Sequence, residues 1–251
     1  LNHLGFAMLI AGLGSPTSSS AEGSAARYND GTDPAQPAQT ASLSYEHRRL
    51  ADGDLEASLF ADFTVPLASD RTVFAVRLPF VSLNASRSGF GLGDVGVSLS
   101  QILPTGSKGA VILGAQLEFD SASQPERGTG QTVATASMII ERILPGGIIV
   151  APTFAHSLGV SGSDGRINFS RFNLYIVPVV GSERLYLTFD PALTVDWGEG
   201  TEYADVAVTL GYGLGRRMGG DTQIFARPTI GLGKARTFDW AIEVGFQLLN
   251  F

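Results

Sequence analysis

The chain is 251 residues long, with a formal net charge of −7, a sequence pI near 4.9, 44% hydrophobic and only 16% charged residues, 31 Gly and no Cys. That balance lacks the basic surface needed to displace counterions from phosphates, so a nucleic-acid binder is excluded. Without Cys there are no disulfides, thiolate metal sites or cysteine nucleophiles, and many Gly beside few Lys and Glu favour strands and tight turns over helices.

At the N-terminus an apolar stretch, Leu4 to Leu13, is followed by Gly, Ser and Pro and then by Ser19-Ser20-Ala21 before Glu22. It is too short to span a bilayer and reads as a secretory signal over residues 1–21, although no Lys or Arg precedes it. Residues 22–38 are rich in Gly, Ala, Pro, Gln and Asp without periodicity, and are expected to form a mobile periplasmic segment. The most apolar later window, Met138 to Phe154, is broken by Glu141, Arg142 and Pro145-Gly146-Gly147, so no transmembrane helix is expected.

From residue 39 to 251 one pattern repeats. Leu185, Leu187, Phe189, Pro191, Leu193, Val195 and Trp197 alternate with Tyr186, Thr188, Asp190, Ala192, Thr194 and Asp196, a period of two over thirteen residues. Leu55 to Val65, Val111 to Phe119 and Val206 to Leu214 alternate in the same way. About ten alternating residues per segment is what a tilted strand crossing a bilayer requires. Turn signals divide this region into roughly twelve strands, near 39–48, 54–67, 71–81, 94–103, 108–119, 132–143, 147–157, 167–179, 184–197, 203–215, 222–232 and 237–251. Even-numbered connections such as Ala68-Ser69-Asp70 and Pro145-Gly146 are mostly tight, while odd-numbered ones include the longer Ser82 to Gly93 and Asp120 to Gln131. The expected fold is therefore an all-β, antiparallel transmembrane barrel of about twelve strands of the outer-membrane type.

Phe119, Trp197, Tyr203 and Trp240 adjoin odd-numbered connections and are expected to form an aromatic girdle at the outer rim. The chain ends in Phe251, expected to present the last strand to the barrel assembly machinery. Its phase disagrees with Trp240, Ile242, Val244, Phe246 and Leu248, and a bulge near Gln247 is expected to reconcile them.

Gly89-Phe90-Gly91-Leu92-Gly93-Asp94 leading into a strand, with Arg77 and Pro79 before it and Gly213-Leu214-Gly215-Arg216 and Pro228 later, resembles the family of outer-membrane transporters labelled MetA-pathway of phenol degradation. The likeness covers about residues 40–251. It implies a barrel that admits small organic compounds, aromatic ones among them. The Gly spacing at 89, 91 and 93, with no helix after it, is not a dinucleotide fingerprint.

The face opposite the apolar one carries Asp54, Glu56, Asp62, Asp94, Glu118, Glu141, Asp190, Asp196, Asp205 and Glu243, with Arg71, Arg77, Arg171 and Arg227. These are the expected lumen-lining residues, either paired into a plug or setting selectivity. Neither a metal nor a cofactor is expected, since the His residues lie apart and no H-x-x-H or HExxH spacing occurs. Expected partners are outer-membrane lipids and a small solute. Two other readings stay open. His156, Asn168 and Ser170 near the outer rim have the residue types of a lipid hydrolase, with His156 expected to face Asn168. The second is a soluble periplasmic β-barrel binding protein.

Overall fold

The computed structural model describes residues 31–67, 71–83, 89–162, 167–182 and 184–251. The expected signal peptide and residues 22–30 lie outside the described residues. Thirteen strands run β1 (Thr40–Leu50), β2 (Leu55–Pro66), β3 (Thr72–Leu83), the two-residue β4 (Gly91–Leu92), β5 (Gly96–Pro104), β6 (Gly109–Glu118), β7 (Gln131–Ile143), β8 (Ile149–Gly162), β9 (Asn168–Val177), β10 (Leu185–Asp196), β11 (Thr201–Arg217), β12 (Gly220–Leu232) and β13 (Phe238–Leu249). Twelve are long staves, and β4 is a spur paired to β3. Each stave pairs antiparallel with its sequence neighbour, and β1 pairs with β13 from Thr40↔Leu249 to Leu50↔Phe238. The ladder closes on itself, so its strands satisfy their backbone groups without a free edge, as a hydrocarbon environment demands.

Alternation sorts the side chains into two populations. Leu43, Phe63, Leu78, Leu99, Leu113, Phe154, Phe172, Leu193, Leu210, Ile224 and Ile242 point outward and are exposed. So large an apolar surface belongs in lipid rather than in water. Leu193 is 42% exposed and lies between Phe172 and Ala204 on the neighbouring staves. Leu193→Asp is therefore expected to lower barrel stability by about 2 kcal/mol or less, because acids cost less than Lys or Arg on this face. Urea unfolding in lipid bilayers measures it, and an unchanged midpoint would contradict the outward assignment.

The interior is not uniformly polar. Near the ends of β5 to β9 that carry the tight connections, Ile102, Ala110, Ile112, Ile139, Ile149, Ala151, Tyr175 and Val177 form a buried apolar cluster. Residues 31–39 cover it, with Ala35 packed on the cluster. The Tyr175 hydroxyl donates to the Thr32 carbonyl at 3.2 Å, Glu141 faces Asp33 and the Ala35 N–H, and Ala38 is buried with Leu249. Asp33-Pro34-Ala35-Gln36 is a turn in which the Ala35 N–H donates to Asp33 Oδ1 at 2.9 Å and the Gln36 N–H donates to the Asp33 carbonyl at 3.2 Å. This corrects the expectation for residues 22–38: their last part, 31–38, is built into the barrel end. Composition had suggested a free linker, but inward isoleucines need a cover that excludes water.

The C-terminal phase is also settled differently from expectation. Pairing on both sides of Gln247 is regular, with no bulge there. Leu249 points inward, 1% exposed, and Asn250 adopts a left-handed backbone (φ 54°) that carries Phe251 to the outer surface, 6.3 Å from Phe63 between ring centroids. Asn tolerates this conformation better than most residues.

Candidate functional site

The lumen is built from inward positions of nearly every stave, and three ion pairs organise its middle. On β2 and β3, which face each other at Asp62↔Arg77, the guanidinium grips the carboxylate at 2.7 and 3.1 Å and stacks over Phe60, 4.8 Å from the ring centroid. Arg171 on β9 holds Asp205 on β11 at 2.7 and 2.8 Å and also donates to Thr194 Oγ1 at 3.1 Å. Arg227 on β12 reaches Asp190 on β10 at 3.0 Å, and Asn173 donates to the other oxygen of that carboxylate at 3.0 Å. Nearer the outer end Arg48 pairs with Glu46 and lies 3.6 Å from Glu56. Bidentate and charge-assisted bonds of this kind hold both partners in one geometry.

Of the expected lining residues, Glu56, Asp62, Arg77, Glu118, Glu141, Arg171, Asp190, Asp205, Arg227 and Glu243 are inward. Asp54 is a correction: it is exposed in the turn between β1 and β2, where its N–H donates to Asp52 Oδ1 at 3.0 Å. Arg71 is exposed before β3 at the opposite end and is likewise no lining residue. Asp196 falls in phase but caps the β10–β11 turn, accepting from the Gly198 and Glu199 N–H groups at 2.8 and 3.0 Å. Asp54 and Arg71 sit just outside their strands, where alternation no longer dictates direction, and Asp196 is the last residue of β10.

Asp94 is a loop clamp. Its carboxylate accepts from the Ser121, Ala122 and Thr129 N–H groups and from the Thr129 hydroxyl at 2.6–3.1 Å, folding the β6–β7 loop with its short 3₁₀ turn (Pro125–Arg127) onto the lumen mouth. Arg127 then donates to the Gly89 carbonyl at 3.3 Å and passes so close over Gly91 that a Cβ there would lie 1.9 Å from Nη1. The Gly-rich stretch is thus a seat for the folded-in loop.

Two spaces remain. One, of about 910 Å3 including its open side, runs from Gly31 and Thr32 past Tyr175, Tyr186, Asp190 and Glu243 to Arg77. The second, of about 570 Å3 counted likewise, runs from Arg77 past Phe60, Glu118 and Arg48 to the folded-in loop at Glu126 and Arg127. Arg77 lines both and divides them. Sequence reasoning missed Glu46 and Arg48, although Ser42, Ser44, Glu46 and Arg48 alternate with Leu43, Tyr45 and His47. Tyr186 and Phe60 fall on the inward face by alternation, but neither they nor Tyr175 and Phe225 are among the expected lining residues, because an inward aromatic departs from the polar-in pattern.

At the outer rim Phe119, Trp197 and Trp240 are exposed outward, as a girdle requires. Tyr203 is a correction: it shares the inward phase of Asp205 and lies within electrostatic reach of Arg48 and Arg171. His156 is opposite Ser170, and Asn168 is opposite Leu158. His156 Nδ1 and Ser170 Oγ are 3.0 Å apart, and the Trp197 indole N–H donates to the same hydroxyl at 2.9 Å. Ser170 is only 4% exposed and fixes Trp197, while Asn168 Oδ1 has no partner among the described residues. A covered hydroxyl that already accepts an indole N–H is poorly placed to attack an ester. Among the described residues no His, Cys, Asp or Glu cluster could hold a metal ion.

A closed antiparallel barrel of twelve staves, apolar outside and charged within, defines a β-barrel of the Gram-negative outer membrane. No family model and no curated protein matches the chain. Among solved structures it is similar to the COG4313 outer membrane channel from Pseudomonas putida F1, at 11% identity and TM-score 0.62 over 84% of this chain and 95% of that one. The NanC porin is similar at 11% identity and TM-score 0.59 over 84% and 98%, and the KdgM porin, solved in complex with disordered oligogalacturonate, at 12% and 0.56 over 82% and 98%. At such identities the likeness shows the fold.

Proposed function

We propose that this barrel is a passive channel for small organic solutes, neutral or cationic in their polar part. The observation that carries the reading is the lumen itself, where Glu46, Glu56, Asp62, Glu118, Glu141, Asp190, Asp205 and Glu243 outnumber Arg48, Arg77, Arg171 and Arg227 between low-dielectric walls. Phe60, Tyr175, Tyr186 and Phe225 give the solute apolar faces to slide along, in keeping with the organic, aromatic-tolerant cargo implied by the family resemblance. Similarity to channels and porins supports the transport role. An excess of lumenal carboxylate disfavours a polyanion such as the oligogalacturonate found with KdgM.

Planar-bilayer recordings of the refolded protein test the reading. Reversal potentials in a salt gradient are expected to show cation preference. Asp190→Asn leaves Arg227 without its carboxylate and shifts preference towards anions, whereas Asp196→Asn, confined to the outer turn, leaves selectivity unchanged. An anion-selective wild type, or no conductance from correctly folded protein, would remove the proposal.

A further inference from the structure

We propose that the chamber between Arg77 and residues 31–32 is a binding site for a small organic ammonium ion, with Glu243 as counter-ion and the faces of Tyr186 and Phe225 as walls. This deepens the channel reading by naming the solute class, and it rests on that reading for its biological meaning.

The charge pattern around the chamber leaves one carboxylate over. Arg48 is taken by Glu46, Arg77 by Asp62 and Arg227 by Asp190. Arg227 stands directly opposite Glu243 across the β12–β13 ladder, yet turns its guanidinium to Asp190. Glu243, 8% exposed and lining the chamber, makes no hydrogen bond or close ion pair among the described residues and feels only the longer-range attraction of Arg77, whose guanidinium is held by Asp62. Its cross-strand partner on the other side is Glu46, a second acid, so local charge favours an incoming cation. A carboxylate in a narrow, poorly hydrated space gains from a mobile counter-ion.

A second, independent feature points to a ligand with N–H donors. Ser44, 3% exposed, lines the same chamber, and its Oγ has no partner among the described residues. It lies opposite Gly245, two residues along β13 from Glu243. That glycine has a purpose here. A Cβ at Gly245 would lie 2.4 Å from the Phe225 ring, and one at Gly211 would lie 1.9 Å from the Tyr186 ring. The two glycines let these rings pass over the barrel wall, leaving π-faces along the chamber where a cation is attracted by the ring quadrupole. Counter-ion, acceptor and aromatic walls together match R–NH3+.

Isothermal titration calorimetry on the refolded, heat-modifiable barrel tests this with three probes of one shape: butylammonium, butanol and butyrate. Butylammonium is expected to bind and the other two are not. Glu243→Gln is expected to weaken binding about tenfold or more, and Phe225→Leu about threefold, whereas Asp196→Asn leaves it unchanged. Because Glu243 has no close bond to lose, only a longer-range attraction to Arg77, Glu243→Gln should keep the gel shift of the folded barrel. No heat with butylammonium at millimolar concentration, equal binding of butanol, or unaltered affinity in folded Glu243→Gln would each overturn the proposal. Bilayer conductance is read separately: a conducting barrel that ignores butylammonium sinks the ammonium site alone, and a barrel that binds it without conducting sinks the channel reading alone.

Discussion

Removing residues 1–38 so that the chain begins just before β1 is expected to raise single-channel conductance severalfold without unfolding the barrel. Residues 31–38 are the part of that segment seen to occupy the lumen, where Thr32 and Gly31 bound the larger chamber and Ala35 sits on the inward isoleucines. The contacts that hold them include a hydroxyl-to-carbonyl bond from Tyr175, the meeting of Glu141 with Asp33 and the Ala35 N–H, and apolar packing. A net hydrogen bond contributes about 1 kcal/mol, whereas the ladder that closes the barrel starts at Thr40 and is untouched. The cost of the deletion is hydration of Ile102, Ile112, Ile139 and Ile149, which lowers stability without opening a strand. Conductance histograms for the full and shortened chains check it. Equal conductance would mean that the restriction lies instead at the outer loop clamped by Asp94.

The larger stability effect is expected at Arg171. Arg171→Ala should destabilise the barrel by about 3–5 kcal/mol, because it strands Asp205, only 4% exposed, with neither of its two charge-assisted bonds. Thr194 loses its donor as well. The double variant Arg171→Met with Asp205→Leu should recover most of the loss, since an apolar pair of similar volume removes both charges together. Urea midpoints of the folded, heat-modifiable form give both values. If Arg171→Ala matched the wild type, lumenal water would be solvating Asp205 fully and the pair would contribute nothing to stability.

Alternation was enough to read the staves, their outward faces and most inward charges, because a period of two on a long strand leaves each side chain only two directions. Glu56, Asp62 and Asp190 are where that rule puts them. It failed where the period ends. Asp54, Arg71 and Asp196 stand in or beside turns, and Asn250 reverses the phase of Phe251 through a left-handed residue instead of a bulge. The sequence could also not show which carboxylates are matched: Arg227 is in register with Glu243 but bonds Asp190, a choice made in three dimensions. The seating of 31–38 was hidden for a related reason. Its Pro-rich composition carries no period, and its binding surface is assembled from β5 to β9.

The seam between β1 and β13 has a bearing on how the molecule is made. Thr40 must find Leu249, so the pairing that completes the cylinder is also the one most distant along the chain. Neighbouring staves can zip as hairpins soon after they emerge, but this last union has to wait for the final strand, and its loop-closure entropy is the largest in the protein. Until then β1 and β13 are two open edges, each able to pair with another chain. The slow step of assembly should therefore be seam closure, and substitutions in β1 or β13 should retard it more than equally destabilising ones in β7 or β8.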